Sequence, residues 1–279
     1  NYTTAFFHGG YNGTMGFDNF TRKIGYQYYY GKDEYNNDED YDGNWGIFDE
    51  PFLQYCIKQM DTLTKPFHAA FFTLSSHHPY TMPKEHKNKF SKGSLIVHET
   101  VSYTDYALKR FFNEASKCDW FENTLFIITS DHSGLTESKD FKTQLGLFKI
   151  PMIIYHPKMK MNILSSQYVQ QIDVYPMVID LLNIENQKIF SFGRSPFAQK
   201  EKYYIYYTNG EYLLMIGNYL SKYKQDGTIE LFNVVEDQGL KNNIANQHKE
   251  ITQKHIEFTQ AFIQQYNNTI IENKTTVSK

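Results

Sequence analysis

The sequence predicts an α/β fold in which a mostly parallel sheet carries helices on both faces, followed by a smaller C-terminal antiparallel sheet and a helix. Up to residue 199, continuous apolar runs of strand length alternate with segments of helical periodicity, which is typical of a covered parallel sheet. From residue 200 onward, short β-prone runs are separated by Asn-Gly, Gly-Asn and Asp-Gly turns, which indicate an antiparallel meander. We therefore expect two parts, 1–199 and 200–279, that pack together as one domain.

The order of elements in the first part follows from the spacing of its apolar residues. Strands are expected where the apolar runs are continuous, and helices where apolar residues recur with the helical period. One helix is expected to be capped by Asp49 and ended by Pro66. The predicted strands are 2–7, 67–74, 124–130 and 150–155, and the predicted helices are 18–24, 49–65, 98–117 and 167–183.

A polar stretch of the first part, 28–46, is predicted to be a solvated loop. It is rich in Asn, Gly and acidic residues, and its acidic cluster lacks the D-x-[DN]-x-[DN]-G-x₅-E spacing of a calcium-binding loop. In the second part, the predicted strands are 202–207, 211–217, 219–224 and 228–234, and the predicted last helix is 247–266.

Composition and charge argue against some classes of function. The chain has 279 residues, a formal net charge of −3 and a pI of about 6.4, so it lacks the basic footprint of a nucleic-acid-binding protein. No run of 18 apolar residues predicts a transmembrane helix. The first residues, NYTTAFFHGG, enter an apolar strand directly, whereas natural termini usually lie frayed at the surface. We therefore expect this chain to be the later part of a longer protein.

Candidate functional residues stand where three predicted strands end. His8 follows the first strand, the pair His77-His78 follows the second, and Asp131-His132 follows the third. Ligands of open α/β sheets bind beyond the carboxyl ends of the strands, so we expect these side chains at one edge. A carboxylate next to an imidazole suits a divalent transition metal. The alternative is that Asp131 caps a helix and His132 is an ordinary surface side chain.

The residues alone leave the site incomplete. A catalytic metal site usually has at least three protein ligands, and the Asp131-His132 pair supplies two. The G-x-S-x-G nucleophile turn is absent, and no Ser, Thr or Cys stands at another obvious nucleophile turn. For His8 and His77, the alternative is that they are core or loop histidines whose nitrogens are satisfied.

Six segments, taken in order, resemble a known enzyme family. They are FFHGGYNGTMGFDNF, FFTLSSHHPY, LFIITSDHSG, IPMIIYHP, QIDVYPMVIDLL and GRSPF. Together they resemble the lipoteichoic acid synthase family of sulfatase-type enzymes in the alkaline phosphatase superfamily, over essentially the whole chain. The stretch ELFNVVEDQGLKNNI is also similar to the final segment of sulfatases. The resemblance implies an alkaline phosphatase/sulfatase-like fold, of which this chain is the C-terminal part of the catalytic domain.

The resemblance also implies roles for individual residues. Asp131 and His132 match the family's Asp-His metal ligands, and the implied cofactor is one divalent ion, usually Mn²⁺, with Zn²⁺ or Ca²⁺ as alternatives. His77 and His8 match catalytic, substrate-contacting histidines. The family's threonine nucleophile and its remaining metal ligands precede the FHG motif, so they are expected upstream of residue 1.

Two positions depart from the family pattern. In the polymer-forming enzymes a Trp and an Arg follow the FHG motif and hold the glycerol phosphate, whereas the corresponding substrate-binding positions here are Met15 and Phe17. An arginine at such a position clamps phosphate through two hydrogen bonds. Its replacement counts against polyglycerol-phosphate synthesis and leaves the metal chemistry unaffected.

The function expected from the resemblance is metal-dependent transfer or hydrolysis of phosphoesters in cell-envelope phospholipid or glycopolymer head groups. One alternative is a sulfate-ester hydrolase, and another is an inactive envelope- or glycan-binding fragment that lacks the nucleophile. The expected location is the extracytoplasmic face of a bacterial membrane, with anchoring by upstream transmembrane helices. A monomer without nucleic-acid partners is expected.

Overall fold

The structure is a computed structural model, and it describes residues 2–159, 168–184, 189–198 and 201–275. The chain divides into two compact units. Unit 1 comprises Asn1–Ile128, Gly134–Thr136 and Ile153–Met161, and unit 2 comprises Thr129–Ser133, Glu137–Met152 and Asn162–Lys279. The predicted division at 199/200 falls on residues outside the described ranges, so it stays a prediction.

Unit 1 is built on a three-stranded parallel sheet. Its strands β1 (Thr3–His8), β2 (Tyr28–Tyr30) and β3 (Phe67–Phe72) lie in the order β2-β1-β3, with Ala5 in register with both Tyr28 and Ala69. Its helices are α1 (Phe17–Lys23), α2 (Lys32–Tyr35), α3 (Asp49–Thr62) and α4 (Val97–Ala115).

The core of unit 1 lies between this sheet and helices α3 and α4. On β1, Ala5 and Phe7 are fully buried in this core, whereas Phe6 packs against Phe17 of α1. Helix α3 buries Phe52, Cys56 and Met60 at helical spacing, and α4 does the same with Ala107, Phe111 and Ala115. Alternation on the strand therefore sends side chains to helices on both faces of the sheet.

Strand β2 lies inside the stretch predicted to be a loop, so that prediction is wrong for 28–30, and α2 follows directly. The composition of the stretch is polar, but its first residues are aromatic. Tyr29 and Tyr30 pair with Phe6 and Phe7 in the parallel register and stack on their rings, with centroid distances of 6.0 and 4.8 Å. These cross-strand aromatic contacts stabilise β2 as a strand beside β1, which the polar composition of the stretch does not predict.

Two short strands, β4 (Phe126–Thr129) and β5 (Met152–Tyr155), form a separate two-stranded sheet. Helix α5 (Val174–Leu181) is shorter than the predicted helix 167–183. A 3₁₀ turn at Gln171–Asp173 precedes it, 168–170 are not helical, and residue 167 lies outside the described residues.

Unit 2 contains the predicted antiparallel meander. Its strands are β6 (Tyr203–Thr208), β7 (Glu211–Ile216), β8 (Tyr219–Lys224) and β9 (Ile229–Asn233), in sequential order. The last helix, α6 (Lys249–Ile271), packs Phe258 and Phe262 on one face of this sheet. With the parallel sheet, the separate antiparallel sheet and the C-terminal helix all present, the predicted fold class is confirmed.

The structure gives no sign of a membrane-spanning segment in the part of the chain that it describes: none of those helices combines the length and the hydropathy needed to cross a bilayer.

Candidate functional site

His8 is the last residue of β1, and its ring is almost completely buried, with 1% of its surface exposed. The ring packs against Phe17 and Phe72, at centroid distances of 5.0 and 5.9 Å. Neither ring nitrogen has a hydrogen-bond partner among the described residues. Burial lowers the pKa of His8, so the ring is held neutral. A buried imidazole without partners departs from the usual satisfaction of buried polar groups.

Gly10 makes room for this imidazole. A Cβ atom at position 10 would lie 2.7 Å from Cε1 of His8 and 3.0 Å from the carbonyl oxygen of Trp45. Any larger residue there would displace the His8 ring or the backbone of the neighbouring loop. The Gly-rich segment after β1 is therefore a packing requirement of the histidine.

The substrate-binding positions expected at Met15 and Phe17 differ in their surroundings. Met15 is 71% exposed and has a left-handed backbone conformation. Phe17 is half-buried, and its ring contacts Phe6, Phe72 and His8. The structure therefore brings Phe17 next to His8 and leaves the Met15 side chain at the surface.

His77 lies in the turn after β3, where its side chain is exposed. Its Nδ1 atom is 2.8 Å from the carbonyl oxygen of His78, and its ring is 4.1 Å from the ring of Trp45 between centroids. His78 is also exposed, but its ring packs against Tyr80. The two adjacent imidazoles therefore have different environments.

Asp49 holds the backbone that leads into this turn. Its Oδ1 atom accepts hydrogen bonds from the amides of Leu74 and Ser75, at 2.8 and 3.0 Å, and its Oδ2 atom accepts one from the Thr104 hydroxyl at 2.6 Å. Burial raises the pKa of Asp49, and these hydrogen bonds act in the opposite direction. The prediction that Asp49 caps α3 is wrong, because Phe48 occupies the N-cap and Asp49 binds a segment distant in sequence.

Asp42 shapes the loop that lies beside these strand ends. Its Oδ1 atom accepts hydrogen bonds from the amides of Asn44, Trp45 and Gly46, at 2.7, 2.8 and 3.1 Å. The next residue, Ile47, donates from its amide to the carbonyl of Gly9 at 3.0 Å. This carboxylate therefore organises a backbone turn attached to the end of β1.

Asp131 and His132 follow β4 and lie in unit 2. Oδ1 of Asp131 accepts a hydrogen bond from the amide of His132 at 2.8 Å, and Oδ2 lies 3.4 Å from Nε2 of His132. Nδ1 of His132 lies 2.7 Å from the carbonyl oxygen of Ser133. A carbonyl only accepts, so the proton is on Nδ1 and Nε2 is left as the free nitrogen. Both side chains are more than half exposed.

Gln171 supports the same segment. Its Nε2 atom donates to the carbonyls of Ser130 and Asp131, both at 2.9 Å. The hydroxyl of Ser133 also donates to the carbonyl of Leu147. The carbonyls of the segment after β4 therefore keep hydrogen-bond partners although they have left the sheet. These bonds hold the backbone that carries Asp131 and His132 in one orientation.

The donor chemistry of this pair fits a divalent ion. The separation of 3.4 Å between Oδ2 and Nε2 is long for a hydrogen bond, yet it is shorter than two metal–ligand bonds of about 2.1 Å each. The Nδ1 hydrogen bond to a backbone carbonyl is the second-shell arrangement common for metal-binding histidines. Within the described ranges, however, no group of three or more His, Cys, Asp or Glu side chains could hold a metal. The Asp131-His132 pair therefore supplies two metal-binding atoms, which do not by themselves complete a coordination site.

A comparison with protein families now identifies the chain. The family model described as "Sulfatase" matches residues 1–184. The chain belongs to the sulfatase family. The resemblance seen in the sequence motifs is thereby confirmed.

Curated relatives of this sulfatase-family chain include lipoteichoic acid synthases. It is 28% identical over 229 residues to lipoteichoic acid synthase 1 of Bacillus subtilis (strain 168). This alignment covers 76% of this chain and 36% of that protein. It is 23% identical over 229 residues to the lipoteichoic acid synthase of Staphylococcus aureus (strain USA300), covering 76% of this chain and 35% of that protein. The chain thus spans about a third of the length of these relatives.

Solved structures show the same fold. The lipoteichoic acid synthase LtaP from Listeria monocytogenes aligns with a TM-score of 0.69 and 17% identity, covering 94% of this chain and 70% of that one. An alkaline phosphatase superfamily protein from Vibrio parahaemolyticus aligns with a TM-score of 0.67 and 21% identity, covering 90% of this chain and 66% of that one. The sulfatase-family chain therefore has the fold of the alkaline phosphatase superfamily.

The sequence did not single out four residues that hold the backbone near the candidate side chains: Asp42, Trp45 and Asp49 in unit 1, and Gln171 beside Asp131-His132 in unit 2. Asp42 belongs to the stretch predicted to be a solvated loop, and Asp49 was predicted to cap a helix. Trp45 stands in a stretch of loop composition, and Gln171 lies in a predicted helix. Only the conspicuous rarity of tryptophan, with 2 in the chain, could have drawn attention to one of them.

Proposed function

We propose that this chain forms part of the catalytic domain of a metal-dependent enzyme that transfers or hydrolyses phosphoesters of cell-envelope phospholipid or glycopolymer head groups. The observation that carries the proposal is the Asp131-His132 pair, with a carboxylate oxygen and a free imidazole nitrogen 3.4 Å apart at the end of a strand. The similarity to lipoteichoic acid synthases supports the phosphoester class. Such an enzyme would work at the extracytoplasmic face of a bacterial membrane.

In this proposal, Asp131 and His132 bind one divalent ion, with Mn²⁺ favoured and Zn²⁺ or Ca²⁺ as alternatives. Such an ion supplies Lewis-acid stabilisation of the charge on the ester oxygens. Oδ2 of Asp131 and Nε2 of His132 are the donor atoms, and the Ser133 carbonyl keeps the His132 proton on Nδ1. No residue of this chain is assigned as the nucleophile.

His77 and His8 act on the substrate in different ways. The His78 carbonyl binds the Nδ1–H of His77, which leaves Nε2 of the neutral ring to take a proton from the acceptor; the imidazolium so formed can then give that proton to the leaving oxygen. His8 is held neutral by burial and is 1% exposed, so it would offer a substrate oxygen an uncharged N–H hydrogen bond only where the packing of Phe17 and Phe72 on its ring opened. Phe17 stands at the position of the family's arginine and packs on His8, so this position offers no phosphate clamp.

A sulfate-ester hydrolase is the second candidate. The specific observation in its favour is the same Phe17, since the absence of a cationic clamp suits a singly charged sulfate ester better than a phosphate monoester dianion; a phosphodiester has the same single charge, so Phe17 does not separate it from the sulfate ester. The matching family model is also described as "Sulfatase". The two candidates differ in the ester that they cleave.

The test uses the complete protein expressed from its native gene. Isothermal titration with Mn²⁺ is expected to show that Asp131→Asn and His132→Gln each weaken binding at least about tenfold, since each removes one ligand. The matched control is Asp140→Asn, an exposed carboxylate of unit 2 outside the pair. Unchanged Mn²⁺ affinity in both pair variants would contradict the metal assignment.

The substrate class is tested on the same preparation. With Mn²⁺ present, bis(p-nitrophenyl) phosphate is expected to be cleaved faster than p-nitrophenyl sulfate, and Asp131→Asn should abolish the cleavage. Preferential cleavage of the sulfate ester would favour the second candidate. Cleavage of neither ester, in a protein that binds Mn²⁺, would argue for an inactive envelope- or glycan-binding protein.

A further inference from the structure

Trp45 makes two separate contacts with the turn that carries His77. Its indole Nε1 atom donates to the carbonyl of His78 at 2.6 Å, and its ring lies 4.1 Å from the His77 ring between centroids. The same carbonyl accepts from Nδ1 of His77 at 2.8 Å. One carbonyl oxygen therefore receives two donors, which uses both of its lone pairs.

This arrangement determines which nitrogen of His77 is available. A carbonyl cannot donate, so Nδ1 must carry the proton, and the opposite nitrogen, Nε2, is the one that faces away from the turn's hydrogen bonds. If the His78 carbonyl rotated, the imidazole would lose the bond that selects this tautomer. The orientation of the His78 carbonyl therefore determines which nitrogen of His77 is free to exchange a proton.

Hydrogen bonds and close packing hold the loop around Trp45. Its amide donates to Asp42 Oδ1, and the side chain of the preceding Asn44 donates to the Thr81 hydroxyl at 3.3 Å, beyond the His77 turn. Gly46, the next residue, packs so closely on Gly9 that a Cβ atom would lie 2.6 Å from the Gly9 carbonyl oxygen. The loop is thus bound on both sides of the tryptophan.

We propose that Trp45 is a positioning residue for His77: its indole N–H fixes the His78 carbonyl, which keeps the His77 proton on Nδ1 and presents Nε2 for proton transfer. The Trp45 ring contacts the His77 ring as well and limits its rotation. The inference rests on the proposed function only for the claim that His77 acts on substrate. The hydrogen-bond relay itself is a property of the fold and can be measured without turnover.

The first experiment measures the tautomer of His77 by ¹⁵N NMR of histidine-labelled protein at pH 8. In the wild type, His77 is expected to carry its proton on Nδ1. In Trp45→Phe, which keeps an aromatic ring and removes the N–H, a mixture with the Nε2-protonated form is expected. Trp45→Leu, which also removes the ring, should shift the mixture further. An unchanged Nδ1–H tautomer in both variants would overturn the proposal.

The chain offers a matched control in its other tryptophan. Trp120 is buried in the core of unit 1, and its Nε1 atom has no hydrogen-bond partner among the described residues, so Trp120→Phe removes no such bond. It should leave the His77 tautomer as in the wild type. His68, whose Nε2 lies 2.7 Å from the Tyr26 hydroxyl, reports on the folding of unit 1 through its own signal in every variant.

The second experiment measures cleavage of bis(p-nitrophenyl) phosphate by the complete protein. Trp45→Phe is expected to lower kcat about tenfold with little change in KM, as part of the roughly 100-fold that a positioned acid or base contributes. His77→Ala separates the two proposals. If the tautomer shifts in Trp45→Phe while His77→Ala keeps full activity, the relay stands and the role of His77 in the proposed function fails. If His77→Ala is inactive and Trp45→Phe keeps the wild-type kcat, the positioning role is overturned.

Discussion

At positions 77 and 78 two identical side chains have different environments because of their neighbours. His77 binds the His78 carbonyl through Nδ1 and packs on Trp45, whereas the His78 ring packs on Tyr80. What position 78 contributes to its neighbour is a backbone carbonyl, which any amino acid provides. The two imidazoles are therefore not structurally equivalent.

Alanine substitutions test this difference. His77→Ala is expected to lower kcat/KM of the complete protein about 100-fold, because it removes a positioned proton donor or acceptor. His78→Ala keeps the carbonyl that binds His77, so its kcat/KM should stay within about threefold of the wild type. The measurement is steady-state cleavage of bis(p-nitrophenyl) phosphate. An equal loss in both variants, or a larger loss in His78→Ala, would show that the assignment is reversed.

Asp49 shows at the same scale what a residue type can and cannot predict. An aspartate at the start of a helix predicts an N-cap, since its side chain can accept from the first free amides. Here the carboxylate accepts from the amides of Leu74 and Ser75, which lie 25 and 26 positions away. The preference for amide partners is a local property, but which amides are available depends on how β3 and α3 pack.

Among the elements, α6 carries a buried histidine at its contact with the antiparallel sheet. His255 is 1% exposed, and its Nδ1 lies 2.9 Å from the hydroxyl of Ser221 on β8, which is itself fully buried. Burial, aided by the charge of Lys254, lowers the pKa of His255 to about 4, while Glu201 acts in the opposite direction. In the folded state this imidazole is therefore neutral throughout the physiological range.

The depressed pKa of His255 predicts a loss of stability in acid. Between the ordinary pKa of 6.5 and about 4, the unfolded chain binds a proton that the folded unit does not, so the free energy of unfolding falls as the pH falls through this window. The expected loss is on the order of 2 kcal/mol, measured by urea unfolding at pH 7.5 and pH 4.5. His255→Gln cannot bind the proton, so its loss over the same window should be smaller. An equal loss in both proteins would contradict this role of His255.

For the whole molecule, the described core residues form clusters that stay within one unit. The largest cluster contains Ala5, Leu53 and Phe111 of unit 1, and the two sheet clusters around Leu213 and Leu214 belong to unit 2. Both tryptophans, Trp45 and Trp120, are in unit 1. Tryptophan fluorescence is therefore a probe of unit 1.

Two matched leucine variants test whether these cores are separate. Leu53→Ala and Leu214→Ala each remove a fully buried side chain, and each should cost about 3 kcal/mol in its own unit. Leu53→Ala is expected to move the fluorescence-detected urea transition to lower concentration. Leu214→Ala should leave that transition within experimental error and weaken hydrogen-exchange protection in β7 and β8. A fluorescence transition that shifts equally in both variants would show one cooperative core.

The sequence by itself determined the types and order of most elements, the positions of His8, His77 and Asp131-His132 at or after strand ends, and the family. The single sheet edge expected for these residues is not found in the described part of the chain, because β1 and β3 belong to one sheet and β4 to another. Periodicity follows from the geometry of helices and strands, and short motifs keep their order along the chain, so neither requires knowledge of distant contacts. The four strands of the meander were predicted within about two residues for the same reason.

Only the tertiary structure decided how the site is supported. Strand β2 depends on stacking of Tyr29 and Tyr30 on β1, and the turn that carries His77 is contacted by Trp45, 32 positions earlier in the chain. These contacts join segments that are brought together by packing of the sheet and its helices. A one-dimensional pattern records which side chains can donate or stack, whereas the partner that each one finds is set by the fold.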